Sequence, residues 1–137
     1  MKVFLDANVL ISVLNKEYPV FTYSSRVLSL AGDSRFKLFT SPVCLTIAFY
    51  FSEKKSGTQM AKTKINMLSQ HIALSPISQK DVRLALTNKK VLNFEDGLEY
   101  YSATHAGCKC IVSESIADLH FSEIETLNSE QFIQKYL

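Results

Sequence analysis

Short apolar runs with strand composition alternate along this chain with longer segments of helical periodicity. The first run, Lys2–Leu5, ends at Asp6, and the apolar residues at positions 9–14 then recur with helical spacing. Four further runs follow, at Phe36–Thr40, Ile72–Leu74, Cys110–Val112 and Glu125–Leu127. Helical segments separate the first four runs, and a turn at residues 113–115 leaves the fourth. This alternation predicts a three-layer α/β/α sandwich, with a parallel sheet of about five strands and right-handed crossovers.

Capping residues and chain breaks predict where the helices lie. Asp6 is predicted to cap the helix that follows the first strand. Ser41 and Pro42 give a cap and then proline at the first helical position, so the apolar segment 43–51 is interpreted as a buried helix rather than a strand. Ser129 is predicted to cap the last helix, which runs to Tyr136. Further helices are expected at about residues 7–14, 22–31, 58–70, 79–89 and 94–106.

Length and composition are those of a single folded domain. The 137 residues, 47% hydrophobic and 20% charged, favour one domain spanning residues 1–137 over a disordered chain. No apolar run approaches the ~20 residues of a membrane span, and the N-terminus lacks a signal-peptide cleavage pattern, so no membrane association and a cytoplasmic location are expected. The net charge of +2 is too small to identify a partner. Cys44, Cys108 and Cys110 are interpreted as small buried hydrophobic residues in a reducing compartment.

Acidic residues follow or flank the predicted strands at one edge of the sheet. Asp6 follows the first strand, Glu114 follows the fourth, and Asp96 begins the helix that leads into the fourth. Glu99 lies three residues after Asp96 on the same helical face, and Asp118 lies four residues beyond Glu114. Open α/β sheets bind ligands at the carboxyl ends of their strands, so these side chains are expected to approach one another.

Converging carboxylates repel one another, and a divalent cation removes that repulsion. Mg²⁺ and Mn²⁺ prefer carboxylate oxygens and water, and they activate water and stabilise a phosphodiester transition state. The sequence has no glycine-rich phosphate loop, no Gly-x-Ser-x-Gly elbow and no pattern of His and Cys ligands. Helix capping explains any one acid equally well, but Asp6 together with Asp96 at this edge favours a functional site.

Three segments of the chain resemble motifs of PIN-domain nucleases. Residues 5–10, Leu-Asp-Ala-Asn-Val-Leu, resemble the opening motif, and residues 94–98 with Ser102 and Ala103 resemble the third acidic motif. Residues 111–114 with Asp118 and Leu119 resemble the final segment, in which Thr or Ser is followed, after one residue, by an acid. The resemblance spans the chain and implies a PIN-like sheet of strand order 3-2-1-4-5 and a ribonuclease that depends on Mg²⁺ or Mn²⁺.

The resemblance also implies roles for individual residues. The expected catalytic set is Asp6, Asp96, Glu114 and Asp118, of which the first three are expected to bind the metal. Asn8 and Ser113 are expected to support them by hydrogen bonding. In one respect the sequence departs from the family, which usually carries a glutamate in the helix after the second strand. Here that position falls at about Ile47 or Ala48, and Glu99 on the opposite helix is the residue placed to compensate.

A basic stretch lies between the second and third predicted strands, and it contains Lys54, Lys55, Lys62 and Lys64 with no acid among them. Lysines near an acidic metal site hold RNA phosphates, although a solvated helix face explains any one of them. Many small bacterial members of the family resemble the toxins of toxin–antitoxin pairs of the VapC type. The resemblance thus implies RNA as substrate and an antitoxin protein as partner, and it leaves a homodimer open.

The primary hypothesis is a metal-dependent endoribonuclease in which metal-activated water attacks an RNA phosphodiester. A second hypothesis is a PIN-like module that binds RNA or protein without cleaving, since the second acidic position is apolar. A third, a phosphoacceptor receiver domain, has the same kind of sheet. It is disfavoured because the first strand lacks paired acids and no lysine follows a late strand in the expected place.

Overall fold

Strands and helices alternate along the whole chain in a computed structural model, which describes all residues 1–137. The strands are β1 Lys2–Leu5, β2 Lys37–Thr40, β3 Ala73–Leu74, β4 Cys110–Val112 and β5 Glu125–Leu127. The α-helices are α1 Ala7–Leu14, α2 Phe21–Ser29, α3 Pro42–Ser56, α4 Thr58–Ser69, α5 Gln79–Thr87, α6 Phe94–His105 and α7 Ser129–Tyr136. Two 3-10 turns complete the structure, Leu30–Gly32 after α2 and Ile116–Leu119 after β4.

All five strands are parallel and form one sheet in the order β3-β2-β1-β4-β5. The predicted α/β sandwich and the strand order 3-2-1-4-5 are therefore confirmed. β1 lies at the centre, where Phe4 is opposite Phe39 of β2 on one side and Ile111 of β4 on the other. The chain runs outward from β1 to β3 and returns to the other side of β1 for β4. This reversal leaves a crevice at the carboxyl ends of β1 and β4.

Helices cover both faces of the sheet at its centre. Val3, Phe4 and Leu5 are consecutive residues of β1 and all fully buried, although neighbouring side chains of a strand point to opposite faces. Ile111 and Val112 of β4 are buried in the same way. Such continuous burial is typical of a parallel sheet between two helical layers, and each large apolar side chain stabilises the fold by about 2 kcal/mol. The packed centre fixes the strand ends from which the site residues project.

The apolar segment after β2 is a helix, as its capping residues predicted. The hydroxyl of Ser41 accepts a hydrogen bond from the backbone N–H of Cys44 at 3.1 Å, and Pro42 occupies the first turn. The helix α3 extends beyond the predicted segment and ends at Ser56, where Gly57 adopts a positive φ of 85°. Only glycine adopts this backbone conformation readily, so Gly57 separates α3 from α4.

Other element boundaries differ from the predictions by one or two residues. The last helix is capped by Asn128 and not by the predicted Ser129, because the Asn128 side chain accepts the N–H of Gln131 at 2.8 Å. The third strand begins at Ala73 rather than Ile72. None of the helices combines the length and the apolar composition that crossing a bilayer requires.

Candidate metal centre

Asp6 lies where β1 ends, in the crevice between β1 and β4. Its backbone N–H donates to the carbonyl of Val112 at 3.0 Å, which joins the ends of the two strands. Its Oδ1 accepts from the N–H of Ala7 at 2.6 Å, so Asp6 caps α1 as predicted. Its Oδ2 accepts from the hydroxyl of Ser113 at 2.6 Å. The buried carboxylate is therefore held in one orientation by both strands and by the start of α1.

Asn8 and Ser113, which were predicted to support the site by hydrogen bonding, brace the loop that follows β4. The Ser113 hydroxyl accepts from the backbone N–H of Ser115 at 3.0 Å while it donates to Asp6. The Asn8 amide donates to the Ser115 hydroxyl at 3.1 Å, and its carbonyl accepts from the N–H of Glu114 at 3.1 Å. These bonds hold the first turn of α1 against the loop and so fix the crevice.

Glu114 is directed away from the crevice. Its Oε1 accepts from the backbone N–H of Ser129 at 3.1 Å, at the N-terminus of α7. Side chains alternate in direction at a strand end, so Ser113 faces Asp6 while Glu114 faces the opposite side. Ser115, one residue further, turns back to Asn8. The structure therefore does not place Glu114 beside the other acids. Ser115 occupies the next position that faces the crevice, where the alternation would put an acid.

Asp96 lies in the first turn of α6, which begins after the cap residue Asn93. It is half-buried, and burial raises its pKa to about 6, with further contributions from the negative charges of Asp6, Asp118 and Glu95. Asp118 and Glu95 are themselves exposed. Asp96 thus lies between the buried Asp6 and two acids at the mouth of the crevice.

Gly97, the residue after Asp96, sets how closely α5 and α6 approach. A Cβ at this position would lie 2.8 Å from Cγ1 of Val91 and 2.9 Å from Cβ of Ala85. Such contacts are too short for any side chain, so the close packing of the α5–α6 pair requires glycine here. This packing fixes the first turn of α6 and the position of Asp96.

Glu99 lies one turn after Asp96 and is more deeply buried, with 2% of its surface exposed. Burial, followed by the negative charge of Asp6, raises the pKa of Glu99 to about 11. Without a nearby cation, Glu99 therefore keeps its proton at neutral pH. Glu99 was predicted to compensate for the missing second acid, and the structure places it in a cluster with Asp6.

Cys44 completes a compact cluster with Asp6 and Glu99. One potential ligand atom of each residue lies within 4.8 Å of those of the other two. Burial, followed by the charges of Glu99 and Asp6, holds the pKa of the Cys44 thiol well above its usual range. Burial of all three cysteines was predicted and is confirmed, but a place for Cys44 beside the acids was not. The available signal was its spacing, since Cys44 precedes the apolar position Ala48 by one helical turn.

Two carboxyl oxygens at the crevice are buried and have no hydrogen-bond partner, Oδ2 of Asp96 and Oε2 of Glu99. Each such oxygen costs about 1–3 kcal/mol if it stays unpaired. A hard divalent cation takes carboxylate oxygens as ligands and neutralises their mutual repulsion. The residues present therefore fit a divalent cation held by Asp6, Asp96 and Glu99, with Asp118 at the mouth.

The four lysines of the predicted RNA-binding stretch have different surroundings. Lys64 donates to the carbonyl of Leu14 at 3.0 Å, and Lys55 donates to the carbonyl of Asn15. Both carbonyls lie at the C-terminal end of α1, roughly 12 Å along the helix from its start at Asp6. Lys54 lies over the ring of Tyr50, and Lys62 is exposed. Lys55 and Lys64 thus stabilise the negative end of the α1 dipole.

A second concavity lies at the far end of α1, away from the acids. This groove, of about 560 Å³, runs between α1, the end of α2 and α4. Its apolar lining includes Leu14, Leu28, Met67 and Leu68, and Lys16 stands at its edge. Apolar concavities of this kind are typical of surfaces that bind another molecule.

Family comparison adds to this geometry. Residues 2–117 match the family model of the PIN domain. The chain is also 27% identical over 142 aligned positions to ribonuclease VapC1 of Aquifex aeolicus (strain VF5), and the alignment covers 98% of this chain and 95% of that relative.

Two solved structures resemble the fold at low sequence identity. One is VapBC2 from Rickettsia felis bound to a DNA fragment from its promoter, with a TM-score of 0.70 at 15% identity over 93% of this chain and 98% of that chain. The other is VapC20 of Mycobacterium tuberculosis, a toxin that cleaves the sarcin-ricin loop, with a TM-score of 0.65 at 12% identity over 80% and 86%. At these identities the likeness concerns the fold alone.

Proposed function

Because this chain belongs to the PIN domain family, we propose that it is a metal-dependent endoribonuclease and the toxin of a toxin–antitoxin pair. The crevice carries the proposal, since it combines a fixed carboxylate on Asp6 with unpaired buried oxygens on Asp96 and Glu99. A relative named as a ribonuclease, aligned over nearly its whole length, supports the reaction class.

Mg²⁺ or Mn²⁺ is the cofactor we assign to Asp6, Asp96 and Glu99. When bound, such an ion acts as a Lewis acid toward a phosphodiester oxygen and lowers the pKa of water. Ser113 and the start of α1 keep Asp6 in a single orientation, so its oxygens need no rearrangement. Asp118, exposed at the mouth, accepts a hydrogen bond from the attacking water and orients it toward the phosphorus.

Three carboxylates are enough for this cofactor. Mg²⁺ keeps several waters in its shell and is commonly held by one or two carboxylates. The apolar residues at the second acidic position, Ile47 and Ala48, therefore do not exclude catalysis, because Glu99 supplies a carboxylate from α6. Among the lysines, Lys54 and Lys62 are assigned to RNA phosphates, while Lys55 and Lys64 have the structural role at the end of α1.

Cleavage of a short unstructured RNA in the presence of Mn²⁺ tests the proposed activity. The Asp96→Asn variant should cut at least about 100-fold more slowly than the wild type, as expected when transition-state charge loses a stabilising group. Glu95→Gln is the matched control, since Glu95 is the exposed neighbour on the same turn, and it should stay within a few-fold of the wild type. Equal cleavage by Asp96→Asn would contradict the proposal. A folded wild type that cuts no RNA would support the non-catalytic module instead.

The partner we assign to the groove is an acidic amphipathic segment of an antitoxin. The apolar lining at Leu28 and Met67 would accept the apolar face of the segment, and Lys16 at the edge would pair with its acidic residues. Met67→Glu should abolish co-purification with the antitoxin without changing the melting temperature, because Met67 is exposed. Met60→Glu, two turns earlier on the same face of α4 but outside the groove, is the control. Co-purification that survives Met67→Glu would place the partner elsewhere.

A further inference from the structure

Cys44 brings to the crevice a ligand chemistry that the proposed nuclease does not use. It is fully buried at the third position of a fifteen-residue helix, α3, and its sulfur lies with the carboxyl groups of Asp6 and Glu99. Sulfur is a soft ligand that selects thiophilic ions, whereas Mg²⁺ and Mn²⁺ prefer oxygen.

We propose that Asp6, Cys44 and Glu99 form a binding site for a thiophilic divalent cation of the Zn²⁺ type. The inference rests on the proposed function in one respect, because Asp6 and Glu99 belong to both sets of ligands. The soft ion would bind at the inner end of the crevice. Asp96 and Asp118 lie outside this site, at the mouth.

The geometry suits such an ion. The three ligand atoms lie within 4.8 Å of one another. Around a tetrahedral zinc, with bonds of about 2.0–2.3 Å, the ligand atoms are separated by roughly 3.3–3.8 Å. Since 4.8 Å is the upper limit of the separations in the cluster, its ligand atoms lie within this range or close to it.

Two further features of the cluster favour a ligand over a purely apolar role for the thiol. Oε2 of Glu99 is buried and has no hydrogen-bond partner, so this oxygen beside the sulfur is free to bind a cation. Cys44 also lies in the first turn of α3, where the positive end of the helix dipole partly offsets the burial and the charges of Glu99 and Asp6 that raise the pKa of its thiol. On binding, the thiol loses its proton to solvent and the sulfur lone pair forms the bond to the metal.

Cobalt and zinc binding to the chelator-treated full chain tests the inference. Co²⁺ should give a near-ultraviolet sulfur-to-cobalt charge-transfer band with the wild type, and Cys44→Ser should lack it. The ratio of Zn²⁺ affinity to Mg²⁺ affinity should fall by at least about tenfold in Cys44→Ser. Cys108→Ser is the matched control, since Cys108 is also buried but lies by Lys2, at the opposite end of the strands, and it should keep both signals.

Two outcomes would overturn the inference: a wild-type cobalt complex without the band, or a Zn²⁺-to-Mg²⁺ affinity ratio unchanged in Cys44→Ser. Cys44→Ala separates a packing defect from loss of the ligand, because alanine places no hydroxyl in the buried site. If sulfur is the ligand, both Cys44→Ser and Cys44→Ala should lose the band. The proposed nuclease fails separately. If Mn²⁺ supports no RNA cleavage while the band depends on Cys44, the soft-metal site stands and the nuclease proposal falls.

Discussion

Asp81 and Glu99 are almost equally buried, at 1% and 2% exposure, but their surroundings differ. Asp81 accepts the backbone N–H of Ser78 at 2.8 Å and pairs with the imidazole of His105, so it joins the start of α5 to the end of α6. Glu99 has no basic side chain beside it, and the charged neighbour that most affects it is Asp6. Burial alone therefore does not mark a functional acid. The distinguishing property is the lack of a basic partner.

The largest expected effect concerns the proton on Glu99. The folded chain binds this proton more tightly than the unfolded chain, since the pKa rises from 4.5 to about 11 on folding. The contribution of Glu99 to stability is therefore full below pH 4.5 and decreases as the pH rises toward 11. Between pH 4.5 and pH 7 the loss is about 3 kcal/mol, at about 1.4 kcal/mol for each pH unit.

Glu99→Gln removes that titration with little change of shape. Denaturant unfolding is measured at pH 4.5 and pH 7 in the presence of a chelator. The free energy of unfolding of the variant, relative to that of the wild type, should be about 3 kcal/mol higher at pH 7 than at pH 4.5. Parallel stability profiles of the two proteins would mean that Glu99 does not hold its proton in the folded chain. The same measurement with Asp81→Asn separates a general effect of burial from the effect of lacking a cationic partner.

Asp81→Ala should reduce the free energy of unfolding by about 1–2 kcal/mol at pH 7. The loss combines the capping box with Ser78, about 1 kcal/mol, and a smaller term for the contact with His105, which is partly exposed. Thermal unfolding with and without Mn²⁺ checks the prediction. The increase in melting temperature on adding Mn²⁺ should be the same in this variant as in the wild type. A smaller increase would mean that Asp81 contributes to metal binding in the crevice.

Glu114→Gln should have the smallest effect, about 0.5 kcal/mol, because Glu114 only accepts one N–H at the start of α7. Stabilisation by Mn²⁺ should be unchanged in this variant. If Mn²⁺ no longer stabilised the variant, Glu114 would be a metal ligand, as the sequence predicted. The loop after β4 would then have to rearrange when the metal binds.

Much of the fold was predictable because parallel strands and capped helices leave strong local patterns. Apolar runs located the five strands, and Ser41 with Pro42 identified α3 as a helix. The site was predictable only in part. Asp6 and Asp96 follow from the positions of their elements, but the direction of Glu114 depends on which side chain faces inward at a strand end. Spacing within α3 indicates only that Cys44 shares a face with Ala48, whereas the approach of Cys44 to Glu99 depends on packing between α3 and α6.

Calorimetric titration of Mn²⁺ into three chelator-treated proteins tests the central claim most directly. The wild type and Asp81→Asn should bind Mn²⁺ with the same affinity, because Asp81 already has its partners. Asp6→Asn should bind at least about tenfold more weakly, since it removes a charged ligand that the fold holds in place. Equal binding by Asp6→Asn and the wild type, or no binding by the wild type, would contradict the account of the crevice as a metal centre.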